Sequence, residues 1–167
     1  MLRTARLILG ILNVLNWAAG VPLVLFLGFL AIEPAVMPAQ LASEFDAVET
    51  AALVRWLWIV CLVSLVTVPL AHVIFTRLRA MIADVETGDV FSPPSIARLR
   101  TIAWCLLGIS AADLVFGLAS IEVSAQTGEY LGWSPSLSPW LVSGLLFILA
   151  RIFAEGIAMR EDLEGTI

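Results

Sequence analysis

Four long runs of apolar positions, separated by short polar stretches, dominate the chain: residues 7–32, 53–75, 101–123 and 137–155. A hydrocarbon core of about 30 Å takes roughly 20 helical residues to cross, and these runs are of that order. In lipid a helix satisfies its backbone N–H and C=O groups within its own segment, whereas an open strand edge does not, so four transmembrane helices are predicted. The first run is longer than it needs to be and contains Pro22, so tilt or a bend is expected there. It also far exceeds the roughly 7–15 residue core of a cleavable leader, which favours a retained span over the signal-peptide alternative.

The polar connections carry their own pattern. Leu78, Met81, Ile82 and Val85 recur at helical spacing, so the second span is expected to continue as an amphipathic helix until Gly88 ends it. Ser92 reads as an N-cap with Pro93 at the first helical position, opening the helix that becomes the third span. Phe91 falls in the turn between them, either anchoring that turn on the bundle or meeting a partner.

Composition agrees with the pattern. Of 167 residues 60 % are apolar and 14 % charged, against roughly 45–50 % and about 25 % in soluble domains. The chain reads as one all-α membrane domain, residues 1–167, with a connection at 76–100 between the second and third spans. The net charge of −5 and the scattering of the basic residues argue against direct nucleic-acid binding. All nine basic residues are Arg. Eight of them, Arg3, Arg6, Arg77, Arg79, Arg98, Arg100, Arg151 and Arg160, fall on one side of four crossings, and Arg55 falls on the other. Basic residues near span ends resist translocation, so both termini are expected in the cytoplasm. Trp56, Trp58, Trp133 and Trp140 then stand near the outer ends of their spans, where an amphipathic ring is favoured.

Sliding the sequence over itself exposes a duplication. At an offset of 97, Leu2, Arg3 and Thr4 meet Leu99, Arg100 and Thr101, Asn16 meets Asp113 and Gly20 meets Gly117. At an offset of 78, residues 74–86 meet 152–164 with six identities in thirteen positions. Two hairpins in the same orientation predict a two-plus-two parallel repeat about an axis along the membrane normal.

Counted from the cytoplasmic ends, Asn16, Ser64, Asp113 and Ser143 reach similar depths and are expected to form one polar layer. Asn13, Asn16 and Gly20 share a face of the first helix, and Ser110, Asp113, Gly117 and Ser120 share a face of the third, so both faces suit close helix contact. Asp113 is the one acid in mid-membrane, where a charge costs roughly 2.5–3.5 kcal/mol. It reads as a hydrogen-bonding strut through Asn16 or a serine, or else as an ion or proton relay. Cys61 and Cys105 differ too much in height to pair and read as inert core. His72, the single histidine, has no metal-ligand spacing around it, so no metal or cofactor is expected. No phosphate loop, nucleophile elbow or carboxylate pair is present, and enzymatic activity is not expected.

Two segments carry a family resemblance. Gly88 and Phe91 precede Arg98, Leu99 and Arg100, and the last span runs into a charged tail with Glu155, Gly156, Arg160, Glu161, Asp162, Leu163, Glu164, Gly165, Thr166 and Ile167. This combination resembles the bacterial membrane family called domain of unknown function 2975. Members of that family are often encoded beside a small helix-turn-helix regulator, so the resemblance implies an inner-membrane protein that holds or senses for such a regulator. The residues supply one consistent feature, the recurring segment with Asp84 and Glu86 in one copy and Asp162 and Glu164 in the other. It either offers an acidic face to a basic protein or simply ends each span as a solvated helix. The reading at this stage is a non-enzymatic regulatory or partner-binding protein, open to homo-oligomerisation. The alternative is a small transporter or channel subunit that uses Asp113.

Overall fold

The apolar runs fold as helices that extend beyond them. The computed structural model describes residues 2–87, 92–128 and 130–164, of which 87 and 160–164 by backbone alone. Helix α1 covers Leu2–Ile32, α2 Val36–Leu41, α3 Ala47–Thr87, α4 Pro93–Thr127 and α5 Ser138–Glu164, with no strand among the described residues. Helices α1, α3, α4 and α5 are each long and apolar enough to cross a membrane. The chain is therefore a multi-pass membrane protein. Both α1 and α3 continue as helix through their internal prolines, Pro22 and Pro69.

Local chemistry explains the helix ends. Asp46 Oδ1 accepts from the Val48 and Glu49 N–H groups (2.8 and 2.9 Å), while Glu49 Oε2 accepts from the Asp46 N–H at 3.1 Å, a reciprocal cap that starts α3. Ser92 is extended at the N-cap position of α4, with Pro93 following as its sequence implies, but its hydroxyl makes no cap bond and meets Ser95 Oγ at 3.1 Å. Gly88 and Phe91, the expected stop and turn, lie outside the described residues. Gly128, left-handed at φ 74°, closes α4 by donating its N–H to Ser124 O.

The long helices pack in chain order, α1 on α3, α3 on α4 and α4 on α5. The polar stripe of α1 faces α3. Its Asn16 amide donates to Val68 O at 2.9 Å, Asn13 Oδ1 lies 2.8 Å from His72 Nδ1, and the Trp17 indole N–H points to the same nitrogen at 3.1 Å. Gly20 lets the backbones approach: a Cβ there would stand 2.7 Å from Val68 Cγ1. Away from these seams Leu7, Ile11, Val14 and Leu25 on α1 and Leu141, Leu145 and Ile148 on α5 are exposed. Such an apolar exterior suits lipid.

Helix α5 is set low against α4. Ser143 donates to Ala103 O at 2.8 Å, and the Phe147 ring packs edge-on against Trp104. Going up α4 from Ala103 corresponds to going back along α5, so Ser138 begins level with Gly108. Gly108 in turn lies against Leu70, in the middle of α3. The nineteen steps of α4 from Gly108 to Thr127, about 28 Å at 1.5 Å per step, therefore rise beyond the start of α5.

Candidate functional site

An irregular segment, residues 130–137, left-handed at Gly132 (φ 70°), runs along α4 where α5 has not yet begun. At its top the Leu131 N–H donates to Ser124 Oγ at 3.2 Å. Lower down Trp133 packs on Gly117 and donates its indole N–H to Asp113 Oδ2 at 3.5 Å. Lower still Leu137 and Trp140 stand beside Ser110 and Leu114. The fourteen steps from Ser110 to Ser124 correspond to about 21 Å of helix.

Gly117 seats the Trp133 indole directly on the α4 backbone, since any Cβ at 117 would overlap its rings. The segment and α4 together enclose a cleft of about 240 Å³ lined by Ser110, Asp113, Leu114, Trp133, Pro135, Ser136, Leu137 and Trp140. Asp113 is exposed to it. Trp133 and Trp140, read from sequence as rings at the outer ends of spans, instead line this cleft partway down α4. The tight Gly117–Trp133 fit pulls one of them down.

The four expected polar-layer residues do not come together. Asn16 bonds α3, Ser143 bonds α4, Ser64 turns back to Val60 O of its own helix at 2.8 Å, and Asp113 meets Trp133. Equal counts from the span ends do not give equal depth, because α5 packs low on α4. Asn16 and Asp113 bond separate partners, Val68 O and the Trp133 indole. The offsets 97 and 78 map the Asn16–Val68 contact onto Asp113 and Leu146, whereas the hydrogen bond to Asp113 comes from Trp133. The strut expected of Asp113 is thus made to a loop indole, not to Asn16 or a serine.

At the opposite end of the molecule the acids are engaged by arginines. Asp84 pairs with Arg98 and accepts from Ser95 Oγ at 3.0 Å, joining α3 to α4. Glu86 pairs with Arg6, joining α3 to α1. The side chains of Asp162 and Glu164, like Phe91, lie outside the described residues, although the α5 backbone is helical through Glu164. Cys61 and Cys105 are free and buried. No group of three or more metal-ligating side chains occurs among the described residues.

Sequence reasoning missed α2, the Trp56 indole bond to Ser120 Oγ (3.0 Å) and the cleft. The signal for the cleft was Pro135 and Pro139 flanking serines next to a tryptophan, a run that cannot extend α5 upward.

The fold defines a four-helix, multi-pass membrane protein with a recess along its third long helix. A family model described as "Protein of unknown function (DUF2975)" matches residues 39–167. The chain belongs to that family, and α1 lies outside the matched region. No curated protein and no solved structure matches the chain.

Proposed function

We propose that the protein is a non-enzymatic regulatory protein of the bacterial inner membrane that docks a basic soluble partner on the acidic continuation of α5. A helix-turn-helix regulator encoded beside its gene is the partner of choice. One observation supports this reading. Helix α3 runs on past its apolar run to Thr87, α5 runs on to Glu164, and the Arg6–Glu86 and Arg98–Asp84 pairs tie α1, α3 and α4 together at that end. A fixed, charged end outside the lipid is what a docking face needs. Because Asp84 and Glu86 are engaged within the chain, the docking charge falls on Asp162 and Glu164. In this reading both termini are cytoplasmic and the two hairpins descend from a duplicated pair, with α5 since displaced along α4.

Reversing Asp162 and Glu164 to Lys should weaken capture of the purified regulator, most strongly at low salt, since rim charges act mainly on encounter. Stability should hardly change. Equal capture by both forms would refute the docking surface. For topology, a Cys at exposed Ser43 or Ala125 should be labelled from outside the cell and one at exposed Ala97 should not. Labelling at Ala97 from outside would invert the arrangement.

A second reading, a small transporter or channel subunit, is favoured by the open position of Asp113 in its cleft.

A further inference from the structure

We propose that the cleft between α4 and residues 131–137 binds a small organic cation, an ammonium group carrying an apolar or aromatic body. The acid comes first. Among the described residues Asp113 receives one long hydrogen bond, from Trp133, and no basic side chain lines the cleft. The start of α5 offers only the partial positive charge of a helix end, about half an elementary charge. A carboxylate on an apolar helix with so little compensation favours an external cation.

The walls choose the kind of cation. Indole faces attract ammonium groups through the ring quadrupole, and Trp133 and Trp140 both line the site. Leu114, Pro135 and Leu137 supply apolar surface for the body of the ligand. A bare metal ion would want about six oxygen ligands, and this cleft offers one carboxylate and two serines. Access follows from the backbone. Residues 134–137 are exposed and non-helical beside a helix long and apolar enough to span, and such backbone is tolerated at membrane depth where it lines a water-filled recess.

The inference rests on the cleft alone and stands or falls independently of regulator docking. The probe is radiolabelled benzyltrimethylammonium, bound to the full chain in nanodiscs of zwitterionic lipid. Its uncharged isostere, neopentylbenzene, is the control. Saturable binding of the cation is expected, weakened about tenfold or more in Asp113→Asn, with the isostere indifferent to that change. Trp140→Leu, which leaves the acid in place, should also weaken the cation and serves as the deciding variant if Asp113→Asn fails to fold. Absence of saturable binding, equal binding by the variants, or equal preference for the isostere would overturn the proposal. Binding that vanishes only when copies associate would assign the recess to a second copy of the chain and overturn it too.

Discussion

Gly117→Val is expected to destabilise the protein by about 1–3 kcal/mol, the usual cost of forcing extra carbon into a filled contact. The Trp133 indole lies where the new side chain must go, and it is a rigid ring held by residues on both sides in sequence. Either the indole leaves α4, taking its hydrogen bond to Asp113 with it, or α4 bends. Reversible unfolding in mixed micelles measures the cost. The cause is isolated by repeating the substitution in Trp133→Ala, where the space is free and most of the penalty should vanish. A cost that persists undiminished without the indole would mean that Gly117 serves the helix and not the descending segment.

The elements of this fold were legible because their cause is local. Apolar runs of membrane length must be helices, and Ser92 with Pro93 marks the start of α4, whereas the Asp46–Glu49 cap of α3 and the Gly128 end of α4 emerge only in the structure. Register was not legible. Depth had been counted along each span from its cytoplasmic end, which assumes that neighbouring helices start level. The Ser143 bond to Ala103 sets α5 lower, a choice made by side chains on two different helices. With α5 low, Asp113 meets the Trp133 indole of the connecting segment, whereas Asn16 meets Val68 of a neighbouring helix. Small residues at 20 and 117 are both expected to let helices approach; a valine of α3 comes to Gly20, whereas an indole from the non-helical connection comes to Gly117. Asp84 and Glu86 illustrate the same limit at the far end. Their i, i+2 spacing puts them on different sides of α3, and only the packing shows that Arg98 of α4 reaches one and Arg6 of α1 the other.

That last point gives the second large expected effect. The Asp84–Arg98 pair sits where α3 passes to α4, with side chains 23 % and 24 % exposed, too sheltered for water to substitute fully for either partner. Ser95 adds a further hydrogen bond to the same carboxylate. Removing one member leaves a charge partly buried without its match, so Asp84→Ala and Arg98→Ala should each destabilise by about 1–3 kcal/mol. The double variant should cost clearly less than the sum, because neither orphan remains. The swapped pair, Asp84→Arg with Arg98→Asp, should recover part of the loss, though not all, since Ser95 then faces a guanidinium. By contrast Arg151→Ala, whose Glu155 partner is itself largely exposed on the same helix, should cost only a few tenths of a kcal/mol. Unfolding titrations of these five forms decide the matter: strict additivity of the two alanine changes would mean that the pair is a surface coincidence and that the α3–α4 hairpin is held by its apolar seam alone.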